Sequence, residues 1–307
     1  MVIAAYNLAE NNRVPYVTID EVRESITASG IDFSNLVENA SAAVQRRALQ
    51  EAIVRASTKA DNYVYGALGT LCATVNTETG RYASNRAGQI IIQPYQWPIM
   101  EVRSFKFGYG PGAGLVDVPV TANNCWIERY EFLMTPTYST GIEIGSLGAV
   151  AGGQWATGNR QFAEYQYVSG FANTFSTATS AVGDTTFTVT SPIGIYPGSN
   201  LTIWDGMKDE NVTVASSYNG TSLTVPLTAP LVYAHGKGVN ISALPATVKQ
   251  AVIHFVVAMV KQRGQGGLVL NELGEPSAVT GATLTSQVDE ALGFELLDDF
   301  RQIWGRA

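Results

Sequence analysis

The chain is poor in the side chains that do chemistry. It has two histidines and two cysteines in 307 residues, and only 15% of it is charged. Cys72 and Cys125 stand far apart with no CxxC spacing, which excludes a zinc site built on paired thiolates and a disulfide framework; two buried thiols are expected. Of the histidines, His254 lies inside an apolar run and reads as a core residue, while His235 sits in the turn YAHGKG. Neither GxSxG nor HExxH occurs. The glycine-rich stretch from Gly108 to Gly114 fits neither a dinucleotide fingerprint nor a phosphate loop, because the spacing is wrong and no helix is expected after it. Asp205, Asp209 and Glu210 lack the calcium-loop spacing, and Asp298 with Asp299 fits the wet face of a helix better than a glycosidase pair. No catalytic, metal-ligating or cofactor-binding residue is expected, and the chain does not read as an enzyme.

Basic charge is also scarce. Nineteen Lys and Arg face 26 Asp and Glu, a net charge of -7, with no basic patch. That argues against holding nucleic acid by its phosphates. The N-terminal MVIAAYNLAENNR lacks a basic region followed by an apolar stretch, so no secretory leader is expected. The five Asn-x-Ser/Thr sequons, at Asn39, Asn200, Asn211, Asn219 and Asn240, are accordingly expected to be chance.

What is present is a helical frame interrupted by strands. LPATVKQAVIHFVVAMVKQR, from Leu244 to Arg263, has Pro245 at its start, Lys261 and Arg263 at its end and Gly264 behind them, which are the start, dipole and stop signals of a helix. Between Ala251 and Val260 only His254 is polar, so this helix needs neighbours on several sides, yet the run is too short to span a bilayer. Thr18-Ile-Asp-Glu21 has capping-box spacing ahead of Ile19, Val22 and Ile26. A long helix is expected from Asn35 to Tyr65, ended by Gly66, with Val37, Ala40, Val44, Ala48, Ala52, Ala56, Ala60 and Val64 on its apolar stripe.

From Gln89 the period changes to two, and strands are expected at Gln89–Gln93, Met100–Phe107, Leu115–Val120, Trp126–Met134, Gly141–Ile144 and Tyr165–Val168. Phe171 to Ser242 changes texture again: TTFTVTS, GSNLTIWDG, NVTVASS and TSLTVPL, separated by Gly, Asn and Pro turns, read as about five strands of a separate small module. Past Arg263 comes the hinge GQGG, and Ser286 and Asp289 open a last amphipathic helix. Residues 265–307 carry seven acidic residues against Arg301 and Arg306. The face Leu292, Leu296, Phe300, Ile303 and Trp304 has no assured surface in its own chain and is expected to dock on a partner, the alternative being that it folds back on its own subunit.

The fold class is α+β: an α-helical bundle core with inserted strands, a small all-β module of barrel or sandwich type, and a C-terminal helix. The expected domains are residues 1–170 with 243–263, then 171–242, then 264–307.

Taken in order, VTIDEVRES, STKADNYVYG, PYQWPIMEVRSFKFGYG and LPATVKQAVIHFVVAMVKQRG resemble the head-to-tail connector proteins of tailed bacteriophages, also called adaptor or head-completion proteins. The resemblance covers about the first 110 residues and Leu244 to Arg263. The segment from Ile195 to Ser242 looks like a small β module common in phage virion proteins, although Gly198-Ser-Asn-Leu201 replaces the usual Gly-Asp start. The resemblance implies a structural protein of the virion neck, assembled in the host cytoplasm as a ring usually of twelve copies. The ring would bind the portal protein on one side and a tail, stopper or nozzle protein on the other. DNA would pass through its channel without specific binding, no membrane or cofactor would be involved, and Leu292, Leu296, Phe300, Ile303 and Trp304 would face the portal. An acidic chain suits such a lumen, since attraction to phosphates would slow passage. A second reading is a tail-tip or fibre-associated protein whose β module recognises host-surface glycan through Trp204, Tyr218 and Tyr233.

Overall fold

The computed structural model describes residues 15–28, 31–33, 36–37, 40–66, 69–83, 89–108, 115–128, 130–135, 161–263 and 280–301. The chain is α+β, and its described residues divide into two compact units: 71–171 form one, and those up to 70 together with those from 172 onward form the other. A unit border thus falls where the sequence changes texture, at 171. The strands before it, expected within the helical domain, cluster by themselves, and those after it cluster with the helices.

The helical part of the second unit contains α1 (Ile19–Glu24), α2 (Ala42–Tyr65), α3 (Ala246–Arg263) and α4 (Thr280–Glu295). The capping box expected at Thr18 forms: Glu21 N donates to Thr18 Oγ1 at 3.1 Å, and Thr18 N donates to Glu21 Oε2 at 2.5 Å. Helix α2 ends at Gly66, whose φ of 72° suits glycine and whose N–H closes on the Asn62 carbonyl. Its start is later than expected, at Ser41, which makes no side-chain cap; Asn35 and Glu38 lie outside the described residues.

Ala48, Ala52, Ala56, Ala60 and Val64 are buried as expected, but Val37 and Val44 are exposed. Val37 lies before the helix begins, and at Val44 a strict four-residue step, which overshoots the 3.6-residue turn, has spiralled off the buried face. Helix α3 is surrounded: Val248, Val252, Phe255, Val256 and Val257 have no exposed surface. Each such side chain contributes about 1.5–3 kcal/mol of burial free energy.

In the first unit, β1 (Thr74–Tyr82), β7 (Gln161–Ser169), β3 (Ile99–Gly108) and β4 (Val116–Val118) form one antiparallel sheet in that order, and β2 (Ile90–Ile92), β6 (Phe132–Met134) and β5 (Cys125–Ile127) form another. Strands therefore begin at Thr74, not Gln89. TVNTETGRY carries no apolar alternation, yet it holds unbroken register with β7 from Thr74↔Ser169 to Tyr82↔Gln161. The run Trp126–Met134 splits into β5 and β6, and Gly141–Ile144 lies outside the described residues.

The second unit also holds β8 (Asn173–Phe175), β9 (Thr186–Thr188), β10 (Asn200–Trp204), β11 (Glu210–Thr213), β12 (Thr224–Pro226) and β13 (Asn240–Ser242). These pair as a four-stranded sheet, β11-β10-β13-β8, and a two-stranded one, β12-β9. They share one apolar cluster that includes Val189, Ile195, Val214, Val225 and Ile241.

Candidate functional site

The C-terminal helix was the sequence's candidate for docking, and its surroundings are specific. Helix α4 packs on α3 through Ser286, Asp289, Gly293 and Leu297, a ridge at helical spacing that is buried along its length. Gly293 permits this approach, because a β-carbon there would stand 2.5 Å from Cε1 of Phe255. Phe294 lies between Tyr63, at 4.6 Å between ring centroids, and Phe255, at 5.0 Å. The helix thus folds back on its own unit by a face other than the one expected to dock. Leu292 is 39% exposed and Val288 56%, while Leu296 and Phe300 are half-buried; Ile303 and Trp304 lie outside the described residues, as does the glycine hinge.

Polar groups lock this arrangement. Asp289 accepts from Lys261 Nζ at 2.6 Å and stands 3.5 Å from Nδ1 of His254, so the lone polar residue of the apolar run faces a buried carboxylate. Glu290 pairs with Lys59, whose ammonium also lies 5.0 Å from the Phe255 ring centroid. Tyr63 donates to Asp298, and this hydrogen bond to a carboxylate raises the phenol above its ordinary pKa.

Elsewhere in the second unit, charged groups are spent on holding loops. Lys249, only 3% exposed, reaches Glu21 Oε1 at 2.6 Å and Asn240 Oδ1 at 2.8 Å, and its ammonium lies 4.0 Å from the Trp204 ring centroid. Glu21 therefore caps α1 and neutralises a buried cation on α3, which offsets the cost of desolvating it. The acidic hairpin of Asp205, Asp209 and Glu210 is built around His235: Nδ1 lies 3.0 Å from Asp205 Oδ2 and Nε2 lies 3.3 Å from Glu210 Oε2. Glu210 also accepts from the backbone N–H groups of Val232 and Tyr233. Burial pushes its pKa up, but those two N–H groups and His235 outweigh burial and hold it below the usual carboxylate range. Among the described residues, no group of three or more His, Cys, Asp and Glu could hold a metal ion.

Of the aromatics considered for glycan stacking, Tyr218 is a core residue donating to the Ser222 carbonyl, and the Trp204 ring is occupied by Lys249. Tyr233 alone is exposed.

In the first unit, Glu78 on β1 gathers Tyr165 Oη at 2.9 Å, Tyr167 Oη at 2.5 Å and the Tyr95 N–H at 3.1 Å, a half-buried polar cluster that no spacing or motif signals. Burial, followed by the Glu78 charge, raises the Tyr165 phenol far above its ordinary pKa, so it serves as a hydrogen-bond donor and not as a base.

The same unit carries an apolar surface. Ile91, Leu133 and Trp126 are direct partners across the three-stranded sheet and so project from one face of it. Their neighbours Ile90, Ile92, Phe132 and Met134 are fully buried on the other face, while Ile91 is exposed and Trp126 is 68% exposed. Strand β3 pairs with β7 along its length and with β4 over Phe105–Phe107. Among the described residues of this unit, the two sheets end in β1, β4, β2 and β5.

No helix among the described residues is long and apolar enough to cross a membrane. Compared with protein-family models, characterised proteins and solved structures, the chain matches none.

Proposed function

We propose that the chain is a structural protein of a tailed-bacteriophage virion that assembles as a ring, of about twelve copies in the connector family it resembles, at the head-to-tail junction. In this reading a helical bundle core centred on α3, with an inserted β module, forms the body of each subunit. The ring joins the portal to a tail, stopper or nozzle protein and lets DNA pass without specific binding. The chain acts by its surfaces and catalyses nothing. It is assembled in the host cytoplasm and resides in the virion neck.

The observation that carries this reading is the outward row Ile91–Leu133–Trp126. Three large apolar side chains on adjacent strands form a patch of the kind that marks protein interfaces, and it is built on a rigid sheet with a buried far face. The order of the resembling sequence segments supplies the identity of the interface. Electron microscopy of the purified protein and of virions tests it. Closed rings of this chain at the neck are expected, and scattered single copies on the capsid or tail fibres would overturn the proposal.

A further inference from the structure

The outward faces of α2 and α4 are opposite in net charge, and several of their charged groups have no ion-pair partner among the described residues. Val44, Arg47 and Arg55 lie on the exposed stripe of α2, with Arg46 exposed beside them. The only acid in that stripe is Glu51, paired with Arg47 at 3.2 Å in an exposed contact between side chains four residues apart, which contributes little. On α4, Val288 and Leu292 are exposed and are followed by Glu295, Asp298 and Asp299, all exposed. Among the described residues, Arg46, Arg55, Glu295 and Asp299 have no ion-pair partner. Val44 heads a stripe of net basic charge, Arg47 and Arg55 against Glu51, and Val288 and Leu292 head one of net acidic charge, Glu295, Asp298 and Asp299 against Arg301. Where the two helices do meet inside the subunit, they pair by the same chemistry, Lys59 to Glu290.

We infer that the α4 stripe of one copy seats on the α2 stripe of the next, with Val288 and Leu292 against Val44, and Glu295 and Asp299 against Arg47 and Arg55. The occupant is a second copy because the chain itself carries both complementary surfaces. An apolar centre with a charged rim is the ordinary composition of such contacts, and the charges fix partner and register more than they add affinity. A contact between two different surfaces of the same chain is heterologous, so it repeats from copy to copy and closes into a ring when the rotation allows. The inference rests on the ring reading above and assigns one of the faces that would close it.

Charge exchange tests it on the full chain. R47E/R55E makes both stripes acidic, and E295R/D299R makes both basic. By sedimentation velocity, each double variant is expected to need at least tenfold more protein than the wild type for half-assembly. Their equimolar mixture should assemble at close to the wild-type concentration, because each copy then finds its complement only on the other variant. That recovery excludes misfolding as the cause of the loss, and raising the salt concentration should weaken wild-type assembly. If the wild type forms rings and either variant alone assembles like it, the contact lies elsewhere and the ring reading survives. If the variants lose assembly and the mixture does not regain it, the pairing of these stripes is wrong. A wild type that stays monomeric, alone and with virion components, overturns the ring reading and this contact with it.

Discussion

Gly293 of α4 lies against the ring of Phe255 on α3, with space for a hydrogen but not for a methyl group. Glycine in the middle of a helix ordinarily costs about 1 kcal/mol relative to alanine, so Gly293→Ala on an open surface would stabilise. Here the added carbon would stand 2.5 Å from Cε1 of a ring with no exposed surface, and overpacking of this kind costs about 1–3 kcal/mol. The clash wins, and Gly293→Ala is expected to destabilise the protein in equilibrium urea unfolding. The same substitution placed on Phe255→Leu should be neutral or stabilising, since the smaller side chain withdraws the obstacle. Phe255→Ala alone is expected to cost about 3–5 kcal/mol.

The Glu78 cluster makes a different prediction, because what is lost there is satisfaction and not volume. Glu78→Ala removes the carboxylate that accepts from two buried phenols and the Tyr95 N–H, of which Tyr165 Oη keeps Tyr82 Oη at 2.8 Å. Each orphaned group costs about 1–3 kcal/mol, so a total of about 3 kcal/mol or more is expected. Tyr167→Phe removes one donor to Glu78 and the hydroxyl that accepts from the buried Gln96 N–H, and about 1–3 kcal/mol is expected. Near-ultraviolet circular dichroism during urea unfolding reads both, since the tyrosines report their own environment. Equal costs for the two variants would mean that Glu78 does not organise the cluster.

These two sites show what the sequence made legible. The helices with strong local signals could be read from it: the capping box at Thr18, Gly66 at the end of α2 and the apolar run of α3 all stand where spacing puts them. Strand β1 could not, because its residues are polar and what pairs them is the unbroken register with β7, nearly ninety positions away. The inward face of α4 was missed for a related reason. Ser286, Asp289 and Gly293 do not look like a buried face until the Lys261 ammonium and the Phe255 ring are opposite them. Apolar periodicity picked Leu292, which the fold leaves outside. The acidic turn could not be read from spacing, because His235, some thirty positions from Asp205, closes it only in three dimensions.

The cluster around His235 carries a pH dependence whose sign follows from Glu210. Its carboxyl titrates below the ordinary range in the folded protein, so the folded state favours the ionised form. That contribution is fully present above the unfolded value of about 4.3 and is lost as pH falls through the folded value. Glu210→Gln should therefore lower thermal stability at pH 7, and the gap between variant and wild type should narrow as pH drops from about 5 toward 3. A gap that stays constant over that range would show that the Val232 and Tyr233 N–H groups do not depend on the charge of Glu210.

Removing residues 280–307 asks whether α4 belongs to the fold or only to the assembly. The fold answers first: Leu297 has no exposed surface, Gly293 and Phe294 cover Phe255, and Asp289 accepts from Lys261 while facing His254. Truncation uncovers the Phe255 ring and leaves Lys261 without its carboxylate. Exposing one or two large side chains costs about 1.5–3 kcal/mol each. For a chain of this size each kcal/mol shifts the midpoint by roughly 2–4 °C, so a drop of at least about 3 °C is expected, with increased binding of an apolar dye. The same truncation removes Val288, Leu292, Glu295 and Asp299 and should abolish assembly as well. The substitutions E295R/D299R separate the two roles, because both side chains are exposed: assembly should fall while the melting midpoint holds. An unchanged midpoint in the truncated protein would place α4 outside the folded subunit and leave docking on a partner as its only role.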